Sequence, residues 1–93
     1  MTSSSEAFSK FAIWKNLDTP LKLTIIERGK SEFIVSGRID GLREETSEIG
    51  LVTPERLFGW FDVEGAEFSI EPGRIVASRN DAEWLIFETE VGE

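Results

Sequence analysis

The stretch from Leu57 to Glu88 constrains this chain most: four apolar-patterned segments are separated by three short turn signals, Glu64-Gly65, Pro72-Gly73 and Asn80-Asp81. Glycine, proline and asparagine or aspartate supply the backbone angles of tight turns, and apolar runs of this length between such turns are strands. The stretch therefore reads as a four-stranded antiparallel meander. Two-residue turns pair Val63 with Ala66, Glu71 with Arg74 and Arg79 with Ala82. Followed inward, those pairings set Gly59 opposite Ile70, Ile70 opposite Ile75 and Ile75 opposite Ile86, with Phe61, Phe68, Ala77 and Trp84 in the next row. Both rows are apolar or small throughout, as a buried face requires.

The same register assigns the opposite face. Its rows are Phe58, Glu71, Arg74 and Phe87, then Trp60, Ser69, Val76 and Leu85, then Asp62, Glu67, Ser78 and Glu83. The middle row is too apolar to be fully wetted, so an interaction surface is expected at Phe58, Trp60, Val76, Leu85 and Phe87. An N-terminal helix, a second copy of the chain or a small-molecule ligand would cover it. The last row sets Asp62 and Glu67 against each other with Glu83 nearby. Paired carboxylates repel unless they splay, share a proton or find a cation, and oxygen ligands of this type suit a weak calcium or magnesium site. No other cofactor is expected.

Upstream, Leu21 to Glu27 alternates with Leu21, Leu23 and Ile25 on one face, and Glu32 to Asp40 places Phe33, Val35, Gly37 and Ile39 on one face. A three-residue loop, Arg28-Gly29-Lys30, joins them as a hairpin that pairs Ile25 with Phe33 and Leu23 with Val35. Gly37 within this second strand marks a bulge or a sharp bend. Between Gly41 and Thr53 the pattern weakens. Arg43 to Glu48 reads as an exposed loop, Glu48 to Val52 as a short strand, and Thr53-Pro54-Glu55-Arg56 as one helical turn capped by Thr53. Met1 to Ser5 reads as a polar tail ahead of a single domain from residue 6 to 93. Phe8, Phe11, Trp14 and Leu17 recur at three-residue spacing, which favours a helix from Glu6 to Asn16 behind a Ser5 cap. The same residues also fit a strand with Phe11 and Ile13 on one side. Asp18-Thr19-Pro20 ends the segment in either case, because the residue before a proline is driven out of the helical region.

The fold expected is mainly β, a small antiparallel sheet or partly open barrel of about six strands with a short N-terminal helix. Histidine, cysteine and tyrosine are absent, which removes the commonest general base, thiolate and disulfide chemistry, and the phenolic acid. No glycine cluster has phosphate-binding spacing, and no hydroxyl sits in a nucleophile motif. An enzyme is therefore not expected. Charge is uneven: Met1 to Arg43 holds five acids and seven bases, a net of +2, and Glu44 to Glu93 holds thirteen acids and three bases, a net of −10. A nucleic-acid partner is disfavoured because the aromatic-rich half is acidic. No run has the length of a membrane span, and a cytoplasmic location is expected. The role expected is a non-catalytic interaction or accessory module with a protein partner or a homodimer, acting through an acidic face or an apolar sheet patch. The alternative is a small-molecule or divalent-cation binding barrel.

Overall fold

The computed structural model describes residues 4–27, 31–79 and 82–89. One helix, α1 (Ser4–Asn16), precedes seven strands: β1 (Leu21–Glu27), β2 (Ser31–Arg43), β3 (Glu48–Val52), β4 (Phe58–Asp62), β5 (Glu67–Glu71), β6 (Arg74–Arg79) and β7 (Ala82–Thr89). The expected helix is present and the strand alternative is not. It begins at Ser4, inside the segment read as a tail. Its C-terminus is closed by a Schellman pair, in which the Thr19 N–H donates to the Trp14 carbonyl at 3.0 Å and the Asp18 N–H to the Lys15 carbonyl at 3.2 Å. Asp18 takes the left-handed position usually given to glycine, with φ 56°, and Pro20 follows immediately before β1.

All seven strands lie in one antiparallel open sheet, in the order β4-β3-β2-β1-β7-β6-β5. The fold is mainly β with one N-terminal helix, as the residue pattern implies. Laid flat, seven strands would span roughly 29 Å, six gaps of about 4.8 Å. The two edge strands are nevertheless joined by the four residues 63–66, which reach at most about 17 Å. The sheet therefore curls, and the molecule is nearly isometric at 32 × 29 × 28 Å. The curl turns on β2, which pairs with β1 up to Gly37 and with β3 from Arg38 onward. Gly37 marks this change of partner, and a Cβ there would lie 2.5 Å from the Val52 carbonyl oxygen. A bulge follows between Ile39 and Gly41.

The inner face of the curl holds Leu21, Leu23, Ile39, Ile49, Leu51, Phe68, Ile75, Ala77, Leu85 and Phe87. Helix α1 packs against β2 and β5 and fills this concavity with Ala7, Phe8 and Phe11. Phe11 is its anchor, with its ring centroid 4.9 Å from Phe87, 5.6 Å from Phe8 and 5.9 Å from Trp14, all edge-on. Such pairs add about 0.5–1.5 kcal/mol beyond the area they bury.

Two expected registers hold. Ile25 faces Phe33 and Leu23 faces Val35, and β5 pairs with β6 from Glu71↔Arg74 to Glu67↔Ser78 around a Pro72-Gly73 turn with Gly73 at φ 70°. The loop 28–30 and the turn 80–81 lie outside the described residues, although Arg79↔Ala82 pairs as expected. Phe33 is nevertheless 55% exposed.

Four expectations are corrected. Trp84 enters a bulge between Ala77↔Leu85 and Ser78↔Glu83, so Ile75 faces Phe87 instead of Ile86. The extra residue shifts the phase of β7, sending Leu85 and Phe87 inward and Ile86 outward. β4 does not pair with β5; it pairs with β3, from Glu48↔Asp62 to Val52↔Phe58. Alternating directions along seven antiparallel strands leave the two edges running in the same sense, and a short link cannot join parallel neighbours. Val63 and Ala66 still form a turn, with the Ala66 N–H on the Val63 carbonyl at 3.1 Å, but it rounds a corner instead of starting a ladder. Residues 53–56 form one turn, the Arg56 N–H donating to the Thr53 carbonyl at 2.8 Å, but it is a hairpin turn and not a helical one, and the Thr53 hydroxyl accepts the Leu57 N–H at 3.1 Å to pin the loop. Arg43 belongs to β2, and the exposed loop narrows to a tight turn over residues 44–47.

Replacing Gly37 with alanine is expected to destabilise the protein by about 1–3 kcal/mol, since a backbone carbonyl must move to admit the methyl group. Urea denaturation of Gly37→Ala against the parent measures this.

Candidate interaction surface

The bulge at Asp40 places Gly41 and Arg43 of β2 on the outer face, alongside Gly50 of β3 and Phe58 and Trp60 of β4. Gly41, Gly50 and Trp60 are direct neighbours in one cross-strand row. The two glycines form a floor on which the aromatic rings lie. A Cβ at Gly41 would approach the Trp60 ring to 2.9 Å, and one at Gly50 would approach Phe58 to 2.6 Å and Trp60 to 3.1 Å. Phe58 and Trp60 meet edge to face at 5.2 Å, and the Arg43 guanidinium lies 4.0 Å over the indole. Arg43 is itself held by Glu48 at 3.5 Å, and Glu48 accepts the Thr46 hydroxyl at 2.8 Å. Rings laid over strand glycines shield backbone that has no side chain of its own. They do not contribute to the inner core, and they remain accessible: Trp60 is 36% exposed, Phe58 47% and the adjoining Leu57 68%.

The residues expected to share one surface divide between two faces. Phe58 and Trp60 come together. Val76 is on the outer face of β6 opposite Ile86, only 4% exposed, and belongs to the other half of the curl. Leu85 and Phe87 line the inner core, because the Trp84 bulge reverses their direction. What residue patterning missed is the floor. Its signal is two glycines in an outward row with large aromatics across from them, legible only once β3 is paired with β4.

Asp62 and Glu67, expected opposite each other, are not on paired strands, whereas the row Glu67, Ser78 and Glu83 has the expected register. Asp62 stands opposite Glu48, and its side chain accepts the Glu64 N–H at 2.9 Å within the corner turn. Glu67 stands opposite Ser78 on β6, and Glu83 pairs through its backbone with that same serine. Among the described residues, no three acids are grouped so as to hold a metal ion. A cleft of about 340 Å³ opens beside Gly37 of β2, between Pro20, Ser36, Gly37, Arg38, Val52, Thr53 and Pro54. Its charged group is engaged within the protein, since Arg38 reaches the Asp18 carboxylate at 3.2 Å. No described helix is long and apolar enough to cross a membrane.

No family model matches the chain, and no curated protein and no solved structure matches it either. The surface is therefore read from its own chemistry.

Two outcomes follow from this geometry. Gly50→Ala should displace the rings with a loss of stability under about 1 kcal/mol, because what must move is the end of an exposed side chain. The near-ultraviolet circular dichroism of Trp60 would change while the urea midpoint stays close to that of the parent. Millimolar calcium or magnesium should leave the melting temperature unchanged, since an ion held only by the native state would raise it; a thermal scan with and without the salts decides this.

Proposed function

We propose that the protein is a non-catalytic interaction module whose contact surface is the outer face of β2, β3 and β4, centred on Phe58 and Trp60. The observation that carries this reading is the glycine floor. Two strand positions forgo side chains, at a cost in strand stability, and the rings resting on them stay accessible to solvent. Exposed aromatics in a preset geometry, with an arginine beside them, have the composition of protein contact sites. Catalysis finds less support, because the chain lacks histidine, cysteine and tyrosine and no three of its described acids are grouped to hold a metal ion. The small-molecule alternative finds less support in the cleft beside Gly37, whose charged group is already engaged.

The test separates folding from contact. The double variant Phe58→Ser/Trp60→Glu should remain folded, with unfolding free energy lowered by less than about 2 kcal/mol, since neither ring contributes to the inner core. It should lose the complex formed by the parent, read by light scattering for a second copy and by photocrosslinking from position 57 for a different protein. A variant that fails to fold would assign the rings to stability alone and end the proposal.

A further inference from the structure

We propose that the open edge of β4 accepts an added strand, an extended cationic peptide segment in which Lys or Arg alternates with apolar residues. This rests on the interaction reading above and specifies its partner. The ladder with β3 fixes which backbone groups are available. The Thr53 N–H donates to the Leu57 carbonyl at 2.9 Å and the Val63 N–H to the Ser47 carbonyl at 2.8 Å. In an antiparallel ladder the bonded positions alternate, so residues 57, 59, 61 and 63 face β3. Phe58, Trp60 and Asp62 therefore aim their N–H and C=O groups away from the sheet.

That edge is open in a way the opposite edge is not. No residue of β4 is buried, whereas β5 buries Phe68 and is packed by α1. Sheet edges are ordinarily blunted by proline, lysine, a bulge or a covering element. Phe58 to Asp62 has neither proline nor lysine, and its pairing with β3 is regular. A peptide added there gains main-chain bonds at three alternate positions. Its apolar side chains can settle beside Phe58 and Trp60 on one face, or beside the half-buried Gly59 and Phe61 on the other.

Charge selects the occupant. From Arg43 to Glu67 there are seven acidic residues and two basic ones, and Glu44, Glu45, Glu55, Asp62 and Glu64 are exposed. A cationic segment is attracted to this rim. A second copy of the chain would bring the same acidic edge and a net charge of −8 of its own, so it would be repelled.

The experiment uses the isotope-labelled full chain and a blocked eight-residue peptide of alternating Lys and Val, with a Glu/Val peptide of the same length as control. In the free protein the Phe58, Trp60 and Asp62 amides should exchange rapidly with solvent, and those of Gly59 and Phe61 slowly. Saturating Lys/Val peptide should slow the first three about tenfold or more, and added salt should weaken the effect. The Glu/Val peptide should do nothing. Failure of the Lys/Val peptide to bind at several millimolar overturns the proposal, as does equal binding of the Glu/Val peptide. Binding that shifts the Trp60 indole without slowing those amides overturns strand addition and leaves the aromatic contact surface standing. Slow exchange at Phe58, Trp60 and Asp62 that depends on protein concentration, with no peptide present, overturns it in favour of a second copy.

Discussion

The ladder between β1 and β7 is the constraint on which the remaining structure depends. Leu21 to Ile25 pairs with Thr89 to Leu85, joining the first strand to the last; every other pairing in the sheet is between strands consecutive in the chain. Closing so long a loop costs entropy, and that cost must be offset by what the closure buries. Leu21, Leu23, Leu85 and Phe87 supply the inner half of the compensation, and Thr24 beside Ile86 supplies the outer. Once β1 and β7 are antiparallel neighbours, hairpins growing outward on each flank have no freedom of direction. β4 and β5 end up as edges pointing the same way, and β4 keeps an unsatisfied side.

The two flanks solve the problem of their outer faces differently. Across β5, β6, β7 and β1 the row Glu71, Arg74, Glu88 and Lys22 alternates in sign, with contacts of 3.3, 3.3 and 3.6 Å. Exposed pairs of this kind add little to stability, but they hold the surface polar. Across β2, β3 and β4 the corresponding surface is built from glycine and aromatic residues. The helix cannot cover it, because α1 is committed to the inside of the curl through Phe8 and Phe11. The aromatic pair is therefore left facing solvent by the division of labour between the two halves.

Much of the local structure could be read directly from residue order. Alternation and turn residues suffice for β1 with β2 and for β5 with β6, where the strands are adjacent and the turn sets the register. The helix stop is equally plain in Asp18-Thr19-Pro20. Two features escaped, and both depend on pairings that the segment's own residues do not report. Glu64-Gly65 has the composition of a hairpin turn and adopts a turn, with Gly65 at φ 78°; nothing nearby reports that β4 is already occupied by β3. The Trp84 bulge is likewise silent, because Trp84, Leu85, Ile86 and Phe87 are apolar in unbroken succession and either phase offers an apolar face. The site was half legible for the same reason: Phe58 and Trp60 alternate outward within one strand, whereas Leu85 and Phe87 required the phase of β7.

The strand order has a further meaning when read around the curl from one edge to the other. Beginning at β5, the strands follow as β5, β6, β7, β1, β2, β3 and β4. This is a plain up-and-down meander that the polypeptide enters at its centre. During synthesis the α1 to β4 portion emerges before β5 to β7, with one edge of β1 lacking its neighbour until β7 is made. The segment that completes the sheet is thus the last to arrive, and the half carrying the aromatic surface must wait for it with two open edges instead of one.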